Sequence, residues 1–130
     1  MKFVEKDFLE FFSYKEFDSP DLPGSGKNMD KEFLSMLTKA RILANVPFVI
    51  NSGYRTKTYN DELRYEGLLA SPKSSHMKGL AADIYTPDSY HRYQILNGLI
   101  LAGFKRIGIG DNFIHADSDK SKNNQVVWTY

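Results

Sequence analysis

The chain has 130 residues, the size of one ordinary domain, and enough apolar residues for a core that needs neither disulfide nor metal for its stability. It contains no cysteine, which excludes disulfides and thiolate metal sites and leaves His, Asp and Glu as the strong metal ligands. The net charge of +1, with basic residues scattered among nearly as many acids, argues against nucleic acid as the main partner.

The first half of the chain predicts an arm, a helix and a strand. Residues 1–29 are expected to form an irregular N-terminal arm whose many aromatic side chains pack on the single domain 1–130. A helix should begin near Asn28 or Asp30, either of which can cap it, and its apolar stripe continues to Ala44. Residues 47–51 indicate a short buried strand.

The second half predicts two helices and four strands. A helix is expected over residues 58–69, and a second one has Thr86 as its cap, Pro87 in its first turn and its end at Gly103. Strands are predicted over residues 80–85, 106–109, 113–117 and 126–130. This order favours an α+β domain with a small, mostly antiparallel sheet and helices packed on one face.

The N-terminal segment does not indicate export. Residues 1–7 are charged throughout and cannot serve as the apolar region of a signal peptide. No apolar run approaches the roughly 18 residues of a membrane span. We therefore expect a soluble, monomeric protein with no signal peptide and no insertion into a membrane.

Three polar features stand out against this background. His76 lies in a polar loop, and Asp83 follows it on an apolar strand, where a carboxylate is costly to bury unless a cation or strong donors meet it. His115 also lies on an apolar strand, and Arg55 follows the buried strand 47–51. Each residue alone has an ordinary interpretation as a hydrogen-bonded surface histidine, a helix cap or a surface ion pair. Together, two imidazoles and one carboxylate can fill three corners of a tetrahedral site and leave the fourth open, as in catalytic zinc sites.

The segment 74–83 carries a specific motif. Its Ser, His, Gly, Ala and Asp match the pattern SxHxxGxAxD at all five fixed positions, a match expected by chance on the order of once in three million starting positions. Residues 113–117 and 52–55 match two further elements, close to FIHVD and SxYR. The sequence therefore resembles the M15 peptidases from about Phe17 to Tyr130, and most of all their short, single-domain members from bacteriophages and bacteria.

The resemblance implies a Hedgehog/DD-peptidase-like fold with one Zn²⁺ per chain, held by His76, Asp83 and His115. It implies that Arg55 stabilises the substrate carbonyl oxygen or holds a substrate carboxylate. Ser74 would orient the loop or bind substrate, and a purely structural hydrogen bond is an equal alternative. The implied partner is the peptide of bacterial peptidoglycan. The protein would be made in the cytoplasm of a bacterium or a phage-infected cell and act on the wall after release or as part of a virion.

One position departs from the family pattern. Many members carry an acidic general base three residues before the last histidine, where this chain has Asn112, whose amide cannot accept the proton. Asp111 is the nearest carboxylate and our prediction for the base, although Gly-Asp-Asn is also ordinary turn chemistry. Asp117, on the strand face of His115, is a second candidate for the base, but we favour a supporting role in which it orients His115 or Arg55.

Two functions follow from the resemblance. The first is a zinc peptidase that acts on peptidoglycan, as a carboxypeptidase on terminal D-Ala-D-Ala or as an endopeptidase in the stem or crosslink. The second is a zinc-holding binding module without catalysis, as the related Hedgehog signalling domain illustrates. Asn112 favours the binding module, while the complete ligand set and Arg55 favour the enzyme. A structural domain without metal would leave Asp83 and His115 without a reason to lie on apolar strands.

Overall fold

The computed structural model describes residues 2–130 and confirms the α+β class, with four α-helices and a five-stranded sheet in that range. The helices are α1 Glu5–Phe11, α2 Lys31–Ala44, α3 Lys57–Tyr65 and α4 Ser89–Ala102. The strands are β1 Ile50–Ser52, β2 Ala81–Tyr85, β3 Arg106–Ile109, β4 Phe113–Asp117 and β5 Val126–Thr129. Within the described residues, no helix has the length and apolar character needed to cross a membrane.

The sheet is open and mostly antiparallel, as predicted. Its strand order is β1-β2-β4-β3-β5, and all neighbouring pairs are antiparallel except β3 and β5, which are parallel. Strands β2 and β4, which carry the predicted ligands Asp83 and His115, are direct neighbours, and these two residues lie opposite each other. This register puts the predicted ligands of two distant chain segments on one face.

The opposite face of the sheet forms the core. Every second residue of the central strands points into it, so that these side chains are buried against α1, α2 and α4: Ala82, Ile84, Ile107, Ile114 and Ala116. Helix α3 differs, because Asn60 is its single buried residue and its side chain faces the site described below rather than the core. Three helices therefore cover one face, as expected, and the other face is left for chemistry.

Several boundaries differ from the prediction. The N-terminal arm is not irregular throughout, since residues 5–11 form α1. The rings of Phe8, Phe12 and Phe17 in this arm pack against one another within the core. Helix α4 is capped by Asp88, whose carboxylate accepts from the backbone N–H of His91 at 2.8 Å. Thr86 lies two residues before this cap, where its backbone N–H continues the sheet by donating to the carbonyl oxygen of Asn112 at 2.8 Å and its hydroxyl makes no hydrogen bond to the helix.

The predicted start of the second helix of the chain is confirmed. The Asp30 carboxylate accepts from the backbone N–H of Phe33 at 2.9 Å and caps α2. Helix α3 ends earlier than predicted, at Tyr65, because Gly67 takes a left-handed conformation (φ 75°) that turns the chain.

Candidate metal centre

One row of residues crosses the open face of the sheet. In register, Ser52 on β1, Asp83 on β2 and His115 on β4 are neighbours, and Gly108 on β3 and Trp128 on β5 extend the row. Gly108 has a spatial role in it, because a Cβ there would lie 2.5 Å from the indole nitrogen of Trp128. The missing side chain lets the indole lie over β3, with its ring centroid 5.5 Å from that of His115.

His76 reaches this row from a tight turn. Residues 75–78 form a 3-10 turn in which the Ser74 hydroxyl accepts from the backbone N–H of His76 at 3.2 Å. Gly79 ends the turn with a φ of 69°, and a Cβ there would lie 2.5 Å from the carbonyl oxygen of Asn28. A glycine is therefore needed for both the backbone conformation and the close approach. The imidazole of His76 is buried and faces Asp83.

The hydrogen bonds of the two imidazoles leave one nitrogen of each directed at Asp83. The Nδ1 atom of His76 lies 2.7 Å from the carbonyl oxygen of Gly53, which can only accept, so Nδ1 carries the proton. The Nε2 atom of His76 then lies 3.3 Å from Asp83 Oδ1. In His115 the carboxylate of Asp117 lies 2.7 Å from Nε2, and Nδ1 lies 2.9 Å from Asp83 Oδ1.

The electrostatics of the cluster call for a cation. Burial raises the pKa of Asp83, but the adjacent His76 and the hydrogen bond from His115 outweigh it and hold this pKa far below its usual range. Burial lowers the pKa of His76, so this ring is neutral at pH 7. Burial also acts to lower the pKa of His115, but hydrogen bonds to Asp117 and Asp83 outweigh it and the net shift is upward. Arg55 contacts Oδ2 of this carboxylate, while Oδ1 faces the two imidazoles, where a proton on His115 or a metal ion in its place can supply the second positive charge.

The donor set fits a metal ion. One ligand atom each from His76, Asp83 and His115 lies within 4.8 Å of the other two. Two nitrogens and one oxygen form the set that catalytic zinc sites use with an open fourth position. The second nitrogen of each ring is held by a carbonyl or a carboxylate, the arrangement that fixes the tautomer of metal-binding histidines. The three residues can therefore hold a metal ion, with His76 Nε2 and His115 Nδ1 facing it.

Arg55 follows β1 by three residues and borders the cluster. Its buried guanidinium donates to Asp83 Oδ2 and to the side chain of Asn60, each at 3.4 Å, and Nε donates to the Ser52 hydroxyl at 3.1 Å. Its backbone N–H donates to the carbonyl oxygen of His76 at 3.1 Å. Arg55 is thus held against both the carboxylate of Asp83 and the turn that carries His76.

A cavity of about 420 Å³ opens over these residues. Its polar wall includes Ser74, and its other walls combine cationic and apolar side chains: Arg55, Arg106 and Lys122, and Leu69, Phe113, Trp128 and Tyr130. The cavity is thus large enough for a small ligand or a few residues of a peptide.

The structure brings together six of the seven predicted site residues: Arg55, Ser74, His76, Asp83, His115 and Asp117. Asp117 is buried and accepts from Arg106 Nε at 2.7 Å on the oxygen that does not face His115. Asp111 does not line the cavity; it lies exposed in the turn between β3 and β4, where its carbonyl oxygen accepts from Arg92 at 2.8 Å.

Sequence reasoning missed Arg106 and Lys122. Arg106 lies opposite Asp117 in the pairing of β3 with β4, and its guanidinium lies 5.0 Å from the Trp128 ring. The alternation of β3 could have indicated that Arg106 shares a face with Gly108. Its partner Asp117 depends on the register of β3 with β4, which cannot be deduced from the sequence. Lys122 lies in the loop before β5, where no periodic pattern applies.

Comparison with known proteins shows the family and a similar fold. The sequence profile of peptidase M15 matches residues 13–117, from the N-terminal arm to the last residue of β4. The chain belongs to the M15 peptidase family. Among solved structures, it is similar in fold to the L-Ala D-Glu endopeptidase ChiX of Serratia marcescens, with a TM-score of 0.60 and 17% identity over 72% of this chain and 82% of that one. No curated protein matches it in sequence.

The first prediction concerns the carboxylate behind His115. We expect Asp117→Asn to weaken zinc binding by about 10- to 100-fold, because the amide no longer supplies the negative charge that orients His115 and makes it a stronger ligand. The dissociation constant is measured by competition with a chromophoric chelator, and circular dichroism verifies the fold. Asp61→Asn, at an exposed carboxylate paired with Lys57, is the matched control. Affinities within twofold for all three proteins would contradict the interpretation.

The second prediction concerns Asp111. Because its side chain is exposed and outside the cavity, we expect Asp111→Asn to reduce kcat less than about tenfold, against the 10²- to 10⁴-fold loss typical of a removed general base. The measurement is kcat at saturating peptide with equal zinc content in both proteins. A loss of 100-fold or more at unchanged zinc content would instead show that Asp111 takes the proton, as the sequence predicts.

Proposed function

We propose that the chain is a zinc-dependent peptidase that hydrolyses peptide bonds of bacterial peptidoglycan. The observation that carries the proposal is the convergence of His76 Nε2, Asp83 Oδ1 and His115 Nδ1 below an open cavity, in a chain of the M15 peptidase family. Zinc suits the two-nitrogen, one-oxygen donor set, and the chain has no thiolate to compete with it. The likeness in fold to an L-Ala D-Glu endopeptidase supports peptidoglycan peptide as the substrate class.

Each of the surrounding residues has a distinct part in the proposed reaction. A bound zinc ion supplies Lewis acidity for the amide carbonyl and for a water molecule. The fork of Arg55 donors stabilises negative charge on the carbonyl oxygen, because two of its nitrogens already face the site and it stays protonated at working pH. Asp117 keeps the Nε2 proton of His115 in place, and the Ser74 hydroxyl holds the turn that carries His76.

The cavity suits a peptide with both charged and apolar parts. Arg106 and Lys122 line it together with Phe113 and Trp128, so one ligand can contact cationic and aromatic side chains at once. Both modes of action remain within the proposal: removal of a terminal D-Ala, as in a carboxypeptidase, and cleavage within the stem or crosslink, as in an endopeptidase.

A second candidate is a zinc-holding binding module without catalysis. The observation that favours it is that the carboxylates of the cavity are already hydrogen-bonded within the protein. In the described part of the chain, Asp83 and Asp117 are the acids that line the cavity, and each is already hydrogen-bonded by a histidine and an arginine. Asn112, at the position where many family members have an acidic residue, also favours the binding module. The peptidase requires a general base that can reach the cavity, whereas the binding module does not.

The third prediction tests hydrolysis directly. Zinc-loaded protein is incubated with purified bacterial peptidoglycan, and mass spectrometry identifies the soluble products. We expect loss of terminal D-Ala, or split stems or crosslinks, from the wild type and from His91→Ala, whose histidine lies on α4 outside the cavity. His76→Ala should release nothing, because it removes one ligand and its Gly53 hydrogen bond.

The outcomes separate the two candidates. Release by the wild type but not by His76→Ala supports the peptidase, and the chemical nature of the product selects the carboxypeptidase or endopeptidase mode. No release from several wall types, with one zinc bound per chain and with retention of the protein on insoluble peptidoglycan, would replace the peptidase by the binding module.

A further inference from the structure

The cavity above the metal-binding cluster carries more positive than negative side chains. Three cations, Arg55, Arg106 and Lys122, line it with two carboxylates, Asp83 and Asp117. A bound divalent ion would add further positive charge. The cavity is therefore built to attract a negatively charged group.

Two of the three cations are already hydrogen-bonded to carboxylates. Arg55 donates to Asp83 at 3.4 Å. Arg106 donates to Asp117 at 2.7 Å and to the carbonyl oxygen of Asn123, and its guanidinium lies over the ring of Trp128. These contacts hold each guanidinium in place, and each already has an anionic partner within the protein.

Lys122 is held differently. Its Nζ forms a long ion pair with Oδ2 of Asp119 at 3.9 Å, which is beyond hydrogen-bond distance. Asp119 is already satisfied, because Ser75, Lys78 and Ser121 donate to its two oxygens at 2.6–3.2 Å. Among residues 2–130, no side chain accepts a hydrogen bond from the Lys122 ammonium.

The position of Lys122 is nevertheless defined. Its backbone N–H donates to the carbonyl oxygen of Asp119 at 3.2 Å, which fixes the loop before β5. The side chain is 27% exposed, and burial lowers the pKa of its ammonium despite the attraction of Asp119 and Asp117. A half-buried ammonium with three unused donors gains from an acceptor that arrives with the ligand.

We propose that Lys122 binds a carboxylate of the peptide substrate and makes the cavity selective for peptides that carry a free carboxylate close to the cleaved bond. This inference rests on the proposed peptidase function, because it takes the ligand to be a peptide. The carboxylate can come from the C-terminus of the peptide or from an internal acidic residue. Both present the same pair of oxygens to an ammonium, so the assay below distinguishes them.

The test compares matched peptides on zinc-loaded enzyme. One pair differs only in a terminal carboxylate or terminal amide, and the other only in an internal carboxylate or its amide. For the carboxylate that Lys122 binds, we expect kcat/KM of the wild type to be about 10- to 100-fold above that of the amide, the range of one charge-assisted hydrogen bond. Lys122→Met should lower kcat/KM for the carboxylate peptide to the value for the amide peptide, mainly by raising KM. Lys122→Arg should retain most of the preference for the carboxylate peptide.

Lys120→Met is the control, because Lys120 is exposed in the same loop and does not line this cavity. We expect it to leave kcat/KM unchanged for all four peptides. An equal fall for the carboxylate and amide peptides in Lys122→Met would show a structural effect on the loop, and no change would show that Lys122 takes no part. Either result overturns the proposal.

Binding gives a readout that does not depend on turnover. Isothermal titration calorimetry of the same peptides, with the zinc-loaded protein, should give a dissociation constant at least tenfold lower for the carboxylate form, and Lys122→Met should abolish the difference. If the wild type cleaves none of the peptides but shows this preference, the peptidase function fails and Lys122 is still the carboxylate site. If it cleaves them without any preference, the Lys122 proposal fails alone.

Discussion

The structure depends on one electrostatic constraint, the ionised carboxylate of Asp83 below two imidazole rings. The other nitrogen of each ring is already engaged, by the carbonyl oxygen of Gly53 in His76 and by the carboxylate of Asp117 in His115. Without a cation, the lone pairs of His76 Nε2 and His115 Nδ1 would face an anionic oxygen at 3.3 and 2.9 Å. The repulsion is removed only by a proton or by a metal ion, and a metal ion satisfies all three atoms at once.

The rest of the fold can be understood as support for this arrangement. The pairing of β2 with β4 aligns Asp83 with His115, and the buried apolar face of the same strands fixes that register, because a slip by one residue would expose the core. Two glycines then make room, Gly79 for the turn that carries His76 and Gly108 for the indole of Trp128. Asp119 ties the same turn to the loop before β5 through the hydroxyl of Ser75.

The sequence predicted the parts of the molecule that depend on local spacing. The motif around His76 and Asp83 indicated candidate ligands, because metal binding requires particular side chains at short, fixed intervals, and the structure places both residues beside His115. The prediction failed where a non-local contact decided the outcome. The sheet continues through the Thr86 backbone to Asn112, so the helix begins only at Ser89 and Asp88 is its cap. Arg106 became part of the site through a cross-strand contact with Asp117. The prediction of an irregular arm missed α1, which is held mainly by aromatic packing.

The most direct test of the account is a crystal structure of the zinc-loaded protein with anomalous diffraction recorded on both sides of the zinc absorption edge. We predict one strong peak per chain, about 2.0–2.2 Å from His76 Nε2, Asp83 and His115 Nδ1, with Asp117 still hydrogen-bonded to His115 Nε2. A peak at any other group of residues, or coordination by His115 through Nε2 with its bond to Asp117 broken, would contradict the central claim that these three residues form a site already arranged for the metal.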